Sequence, residues 1–229
     1  MKTAFITGAS RGLGCGFVEH LLEAGYQVFA SVLRFSDKLP QQDNLTWITC
    51  DVSDDSSIQS AFDEVSKLTD HLDLVVSNAG ISRRTFEDQG LVSELTSLNR
   101  DSLLKMFNVN SLGPIMVTKC FLPLLSGEEA WVINVSSIRA YFNDANTHGN
   151  YGYRASKVAL NMFTRCSLFD LPENIRTFAV HPGSVESEMN PDGSQTPKEQ
   201  AEKIISITQN WDDDLNGKFL NYDGTEFEQ

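Results

Sequence analysis

Cysteine is scarce in this sequence, and long hydrophobic runs are missing. The four cysteines (Cys15, Cys50, Cys120 and Cys166) are far apart and form no CxxC pair. This spacing argues against a disulfide framework or a zinc site and indicates buried free thiols in a reducing cytoplasm. No stretch approaches the roughly 20 apolar residues of a membrane span, and the first seven residues run into a glycine turn without a signal peptide's apolar segment. We therefore expect a cytoplasmic protein with no membrane partner and no metal.

Positive charge is also in short supply. The 229 residues include 31 acidic and 18 basic side chains, which gives a formal net charge of −13 at pH 7. Binding to nucleic acid or to an anionic membrane surface needs a basic face, so this balance argues against both as main partners. Apolar residues, in contrast, make up 41% of the chain. That content supports a sizeable core, and the length predicts one domain spanning residues 1–229.

Short apolar runs alternate with segments of helical spacing. The runs are Ala4–Ile6, Val28–Val32, Trp47–Thr49, Leu72–Val76, Trp131–Val135 and Thr177–Val180. The helical stripes are Phe17, Val18, Leu21 and Leu22; Ile58, Ala61, Phe62, Val65 and Leu68; Leu103, Leu104, Phe107, Val109 and Leu112; and Val158, Leu160, Met162 and Phe163. Strands that are apolar on both faces belong to parallel sheets covered by helices. The alternation predicts a doubly wound α/β fold of the Rossmann type, with helices on both faces in three layers.

The first turn carries a glycine pattern, Thr7-Gly8-Ala9-Ser10-Arg11-Gly12-Leu13-Gly14. Glycine permits positive φ and lets the backbone approach a pyrophosphate closely, and the following helix N-terminus offers free N–H groups to an anion. An ordinary glycine-rich turn is the alternative, but the position between a strand and a helix favours a dinucleotide. The residues assigned to the cofactor here are Gly8, Ser10, Arg11, Gly12, Leu13 and Gly14.

This T-G-x3-G-x-G turn and six later motifs, in the same order, resemble the short-chain dehydrogenase/reductase family. The later motifs are Asp51-Val52, Asn78-Ala79-Gly80, Asn110 within Asn108–Gly113, Val135-Ser136-Ser137, Tyr153-x3-Lys157 and His181-Pro182-Gly183. The resemblance implies an NAD(P)-dependent oxidoreductase with a parallel sheet of about seven strands. It also implies cofactor contacts by Asp51, Val52, Asn78, Ala79, Gly80, Tyr153, Lys157, Pro182, Gly183 and Val185.

Two segments are similar to a narrower group, the C-factor/sniffer-type branch, whose members are mostly carbonyl reductases. One is Tyr151–Lys157 with the following Ala159-Leu160-Asn161, and the other is the tail Gly217–Gly224.

Tyr153 and Lys157 are the predicted acid–base pair. They are four residues apart, so on a helix they share one face. A nearby ammonium and a positive nicotinamide favour the phenolate, which would bring the tyrosine pKa down from about 10 towards the working range. By resemblance, Lys157 also binds the nicotinamide ribose. Tyr151 competes for the role, but its i+4 residue is Ala155, so we assign it to the substrate wall or to packing.

Ser137 is predicted to hold the substrate carbonyl by a hydrogen bond. Its neighbour Ser136 is the rival, although strand alternation points the two side chains in opposite directions. By resemblance, Asn110 anchors a water that connects Lys157 to solvent. The alternative for Asn110 is a side chain bonded to nearby backbone.

Cofactor choice depends on the end of the second strand. NAD enzymes usually carry a carboxylate there for the adenosine ribose, but Ala30–Arg34 has no acid before Asp37. Arg11 and Arg34 could instead pair with a 2′-phosphate through their bidentate forks, while solvated surface charges are the simpler interpretation of each. NADP(H) is therefore favoured over NAD(H).

Three irregular segments, Arg83–Asn99, Asn143–Asn150 and Asn190–Pro197, follow strand ends and are candidate walls of a substrate cleft. Asn143–Asn150 is expected to form a polar flap, and the short Ser184–Pro197 implies a shallow or open pocket. The Arg83-Arg84 pair could attract an anionic substrate, with a solvated rim pair as the simpler interpretation.

The leading functional prediction is a carbonyl reductase that passes hydride between NADPH and a small carbonyl or alcohol, with Tyr153 as general acid/base and Ser137, Lys157 and Asn110 completing the catalytic set. The first alternative is a nucleotide-binding regulatory or signalling protein of the C-factor type. Epimerisation or dehydration on the same scaffold ranks last, because such relatives are longer. By resemblance, the chain pairs through the helices of Asn110 and Tyr153 into a homodimer or homotetramer.

Overall fold

The structure is a computed structural model that describes residues 1–144 and 149–227. Its strands are β1 (Thr3–Ile6), β2 (Gln27–Val32), β3 (Leu45–Thr49), β4 (Leu74–Ser77), β5 (Ala130–Val135), β6 (Ile175–His181) and β7 (Phe219–Asn221). Its α-helices are α1 (Gly12–Glu23), α2 (Asp55–Val65), α3 (Gly90–Ser93), α4 (Arg100–Phe107), α5 (Gly113–Phe121), α6 (Tyr151–Ser167) and α7 (Pro197–Gln209). A π-helical turn, Asn108–Leu112, joins α4 to α5. Short 3₁₀ turns span Arg83–Thr85, Leu122–Leu124, Ile138–Ala140, Phe142–Asp144 and Asp213–Leu215.

The strands form one parallel sheet in the order β3-β2-β1-β4-β5-β6-β7. The order changes direction next to β1, because the chain builds β2 and β3 on one side of it and β4 to β7 on the other. In such sheets, ligands bind at the carboxyl ends of the strands beside this switch point. The predicted doubly wound α/β fold is confirmed.

Apolar side chains pack against both faces of the sheet. On one face, Phe17 and Leu21 of α1 and Ile204 of α7 pack on the strands. On the other face, Phe5 of β1 stacks on Phe121 of α5, with ring centroids 4.2 Å apart. Strands β1 and β5 are buried along their whole length, which explains why they are apolar at consecutive positions.

The apolar stripe predicted over residues 103–112 does not match the buried face of the helices there. Leu104 and Leu112 are 53% and 43% exposed, whereas Met106, Asn110 and Ser111 are buried. The π-helical turn is the physical reason, because i→i+5 bonding rotates the helix face relative to a continuous α-helix.

Two residues of the other stripes are also misplaced. Leu68 lies beyond the end of α2 and is 51% exposed, and Met162 on α6 is 59% exposed.

In the part of the chain that the structure describes, no helix has the length and apolar character to cross a membrane.

Candidate active site

The glycine turn follows β1 and is shaped by close backbone contacts. Gly8 has φ +65°, and a Cβ on it would lie 2.7 Å from the Cα of Ala79. A Cβ on Gly14 would lie 2.1 Å from the Gly8 carbonyl oxygen. Arg11 is the N-cap of α1 and makes no side-chain capping bond. The first N–H groups of α1 are therefore available to an anion, as a pyrophosphate cradle requires.

Asn78 fastens this turn to the end of β4. Its Nδ2 donates to the carbonyl oxygens of Thr7 and Gly8, at 3.0 Å each. The Thr7 hydroxyl in turn accepts from the backbone N–H groups of Asn78 and Ala79, also at 3.0 Å. Asn78-Ala79-Gly80 thus supports the glycine turn, and Asn78 and Gly80 line the cavity beside it.

Ser137, Tyr153 and Lys157 meet in one cavity of about 560 Å³, named here the active-site cavity. Tyr153 and Lys157 lie one turn apart on α6, and the Lys157 ammonium is 6.0 Å from the centre of the Tyr153 ring. The side chains of Tyr153 and Ser137 share a hydrogen bond. Lys157 is buried, and its Nζ donates to the carbonyl oxygen of Val135 at 2.7 Å.

The two serines at the end of β5 have different partners. The Ser136 hydroxyl donates to Asn161 Oδ1 at 2.6 Å inside the protein. Ser137 is bonded to Tyr153, and its Oγ also accepts from the backbone N–H of Arg139 at 3.2 Å. The geometry therefore places Ser137, and not Ser136, beside the tyrosine, as strand alternation predicts.

Burial is the largest influence on the pKa values of Lys157 and Tyr153. It lowers the pKa of Lys157 from 10.5 to about 8. It also raises the pKa of Tyr153, although the Ser137 hydrogen bond and the Arg139 charge act in the opposite direction. In the chain without cofactor, desolvation of the phenolate outweighs both the Ser137 hydrogen bond and the Arg139 charge. The lowered Tyr153 pKa, expected from the ammonium together with a positive nicotinamide, stays a prediction.

Asn110 connects the segment after β4 to α6 by hydrogen bonds. It is fully buried in the π-helical turn, where its Oδ1 accepts from the Ile81 N–H at 2.8 Å. Its Nδ2 donates to the Ile81 carbonyl at 2.9 Å and to the Ser156 hydroxyl at 3.1 Å. The side chain thus bonds to backbone that is distant in sequence, and the water-anchoring role stays a prediction.

The other wall of the cavity comes from the end of β6. Pro182, Gly183 and Val185 line it together with Leu13 of the glycine turn. Sequence reasoning missed Gln200, which is fully buried on α7 and donates from Nε2 to the Pro182 carbonyl at 2.6 Å. The available signal was a polar residue on the face of α7 that also carries Ala201 and Ile204.

The predicted 2′-phosphate residues lie outside this cavity. Arg11 forms an ion pair with Glu188, and the two side chains are 68% and 72% exposed. Sequence reasoning missed Glu188. Arg34 is exposed just after β2, and Ser10 is exposed in the glycine turn.

Asp51 and Val52 follow β3 at the same edge of the sheet. Asp51 Oδ1 accepts from the backbone N–H of Ser53 at 2.9 Å, and Val52 is buried against Gly113.

All three irregular segments contribute to the active-site cavity, through Arg83, Arg84, Asn150 and Asn190. Residues 145–148 of the predicted flap lie outside the described residues. Tyr151 is 43% exposed and lines a different, largely apolar cavity.

A comparison with known proteins agrees with this geometry. A family model described as short chain dehydrogenase matches residues 2–198. The C-signal protein of Myxococcus xanthus is 35% identical over 162 residues, which cover 69% of this chain and 93% of that protein. An uncharacterised oxidoreductase of Schizosaccharomyces pombe is 28% identical and covers 98% of this chain and 96% of its own.

Solved structures resemble the whole chain. The NADPH-bound carbonyl reductase from chicken fatty liver has a TM-score of 0.87 and 27% identity, covering 100% of this chain and 99% of its own. The carbonyl reductase Sniffer of Drosophila melanogaster has a TM-score of 0.88 and 28% identity, with both chains covered completely.

Proposed function

The chain belongs to the short chain dehydrogenase family of oxidoreductases, and from that membership we propose that it is an NADPH-dependent reductase of small carbonyl compounds. The observation that carries the proposal is the meeting of Ser137, Tyr153 and Lys157 in one cavity beside the glycine turn. These side chains supply what carbonyl reduction needs of a protein: a hydrogen bond to the substrate oxygen and a proton for it.

Tyr153 acts as the proton donor in this proposal. Burial raises its pKa, so the phenol is neutral and carries its proton at neutral pH. Ser137, already bonded to Tyr153, donates to the same carbonyl oxygen and holds it near the phenol. The Lys157 ammonium, one helical turn away, favours the phenolate left after proton transfer. Asn110 supports this group by fixing the segment after β4 to α6.

The residues at the strand ends fit a nicotinamide dinucleotide, which supplies the hydride when it is bound. The glycine turn and the uncapped start of α1 would hold its pyrophosphate. Lys157, Pro182, Gly183 and Val185 would adjoin its nicotinamide end, and Asp51 and Val52 its adenine end. We infer a preference for NADP(H) because Arg11 and Arg34 offer guanidinium groups to a 2′-phosphate. NADPH in the similar chicken enzyme supports this inference.

A regulatory function is the second candidate. The similarity to C-signal favours it, because a nucleotide-binding signalling protein would need the same glycine turn. The two functions differ in turnover, and the intact Ser137, Tyr153 and Lys157 group favours the reductase.

The test is NADPH oxidation with small aldehydes, diketones and quinones, comparing the wild type with Tyr153→Phe. We expect the variant to bind NADPH as the wild type does and to lose at least about 100-fold in kcat, since proton transfer from a positioned group contributes about 10²–10⁴-fold. Tyr151→Phe is the matched control and is expected to keep its activity, because Tyr151 lines another cavity.

Turnover that survives Tyr153→Phe would contradict the assigned proton donor. Tight NADPH binding without turnover of any compound would favour the regulatory function. Absence of NADPH and NADH binding would refute the nucleotide site itself.

The proposal extends to the protein's location, its domain organisation and its oligomeric state. All four cysteines are free thiols, which supports a reducing location such as the cytoplasm. The sheet runs from β1 at residue 3 to β7 at residue 221, which supports one catalytic domain. Exposed apolar side chains on α4 and α6, including Leu104 and Met162, support association into a homodimer or homotetramer.

A further inference from the structure

The active-site cavity is lined by positive side chains. Its described lining residues include Arg83, Arg84, Arg139 and Lys157, but no aspartate or glutamate. The chain as a whole has 31 acidic and 18 basic residues and a net charge of −13. The cavity therefore reverses the sign of charge that prevails over the rest of the molecule, and this reversal needs a chemical reason.

The proposed reduction and cofactor binding explain only some of the positive side chains that line the cavity. Lys157 belongs to the catalytic group. Arg11, which is proposed to bind a cofactor phosphate, lies outside the cavity and is paired with Glu188. Arg83, Arg84 and Arg139 belong to other elements and have no role in the proposed reduction.

Arg83 and Arg84 lie at the mouth of the cavity on a turn that is held in shape. The Ser82 hydroxyl accepts from the Arg84 N–H at 3.3 Å, and the Thr85 hydroxyl accepts from the Ser82 N–H at 3.4 Å. This reciprocal capping fixes the 3₁₀ turn directly after Asn78-Ala79-Gly80. The Arg84 Nη1 donates across the cleft to the Glu188 carbonyl oxygen at 3.4 Å. Both arginines are exposed and line the cavity, so two guanidinium groups border its solvent side.

Arg139 lies at the reacting end. It follows Ser137 by two residues, and its backbone N–H donates to the Ser137 hydroxyl at 3.2 Å. Its positive charge acts on Tyr153 and lowers the pKa of the phenol against the larger effect of burial. Cations therefore border the cavity both beside the carbonyl-binding group and at the entrance.

We propose that the physiological substrate is a carbonyl compound that carries a carboxylate, with the carboxylate held by Arg83 and Arg84 near the mouth, and with Arg139 adding positive potential around the reacting carbonyl. The proposal rests on the reductase function. A guanidinium fork matches a carboxylate in a bidentate manner, and a cleft with one sign of charge concentrates the opposite ion. A singly charged carboxylate is favoured over a phosphate, because the net charge of −13 repels a more highly charged ligand more strongly.

The test compares 4-formylbenzoate with its uncharged methyl ester and with 4-formylphenyl phosphate, at saturating NADPH and low ionic strength. We expect kcat/KM for the carboxylate to exceed that for the ester by about tenfold. The ratio should fall as salt is added, since the arginines at the mouth are exposed. The Arg83→Gln/Arg84→Gln double variant should bring the ratio close to one through KM while leaving kcat for the ester unchanged.

The Arg100→Gln/Lys105→Gln double variant is the matched control. It removes the same two charges from exposed positions on α4, outside the residues that line the cavity, and it should leave the ratio intact. A carboxylate-to-ester ratio of one or less, or a ratio that the double variant does not change, would overturn the proposal. A phosphate that is reduced better than the carboxylate would overturn the assigned anion.

A binding measurement separates this proposal from the reductase function. Terephthalate carries the carboxylates but no reducible carbonyl, and its binding to the protein–NADPH complex can be followed by calorimetry. If none of the three aldehydes is reduced, the reductase function fails. Terephthalate binding that is lost in the double variant then supports the carboxylate site, and equal binding to wild type and variant refutes it.

Discussion

At the residue scale, the burial of the Lys157 ammonium opposes folding. The ammonium is buried with the Val135 carbonyl as its hydrogen-bond partner. Burying a charge raises the free energy of the folded state, and the lowered pKa of Lys157 reports that penalty. The chain accepts it because an ammonium beside Tyr153 favours the phenolate formed in the proposed proton transfer. Catalytic sites commonly concentrate groups with such displaced pKa values.

The Lys157 pKa predicts how stability depends on pH. Unfolded, the side chain has its ordinary pKa of 10.5, and folded it has one of about 8. Between these values the unfolded chain binds more protons, so the free energy of unfolding rises with pH, with a slope of up to about 1.4 kcal/mol per pH unit. Urea unfolding from pH 7 to 10 should show this gain in the wild type relative to Lys157→Met. A constant difference between the two proteins would contradict the assigned pKa.

Arg11 predicts the choice of cofactor. Arg11→Ala should weaken NADPH binding by about 10- to 100-fold, because a charge-assisted hydrogen bond contributes about 1.5–3 kcal/mol. NADH has no 2′-phosphate, so its affinity should change little. Titration of both cofactors checks this, with Lys2→Ala as a control that removes an exposed charge elsewhere. Equal losses for NADPH and NADH would assign Arg11 to the shared pyrophosphate instead.

At the element scale, the strands and the turns after them were predictable from sequence, but the helix faces and long-range partners were only partly so. Continuous apolar runs identified β1 to β6, because buried parallel strands leave no polar face. The phase of residues 103–112 was not predictable, since a π-helical turn breaks the 3.6-residue period. Glu188 was missed because its partner Arg11 is 177 residues away, and no local pattern encodes such a pairing.

The junction of β1 and α1 predicts a strong effect for Gly14→Ala. Alanine normally favours a helix by about 1 kcal/mol over glycine. Here, its Cβ would lie 2.1 Å from the Gly8 oxygen and 2.6 Å from Asn78 Nδ2. We expect the steric clash to outweigh the gain in helix propensity, with a net loss of about 1–3 kcal/mol in the free energy of unfolding and weaker cofactor binding.

Gly127→Ala is the matched control, because its Cβ would meet only the Glu129 oxygen at 3.7 Å. Denaturant unfolding and cofactor titration should leave this control near the wild type. A Gly14→Ala protein of wild-type stability and affinity would show that the turn relaxes without loss.

At the scale of the whole molecule, exposed apolar side chains predict self-association. Leu104 on α4 and Met162 on α6 are 53% and 59% exposed, and Phe169 just beyond α6 is 75% exposed. Apolar area of this kind is commonly covered in an oligomer. Light scattering after size-exclusion chromatography should find a dimer or tetramer, and Leu104→Glu should shift it towards the monomer.

Leu95→Glu is the control for this prediction, since Leu95 is 69% exposed but lies in the loop before α4. It should keep the wild-type mass. A wild-type protein that is monomeric at micromolar concentration would contradict the predicted assembly.

The ion pair between Arg11 and Glu188 has a consequence for counter-ions. A 2′-phosphate that reaches Arg11 replaces the Glu188 carboxylate, so this guanidinium exchanges one anion for another. Added salt screens the pair that is lost as well as the pair that is formed, and the two effects partly cancel. Loss of the Glu188 carboxylate would remove the cancellation. The affinity of the wild type for NADPH should accordingly vary less steeply with ionic strength than that of a Glu188→Gln protein.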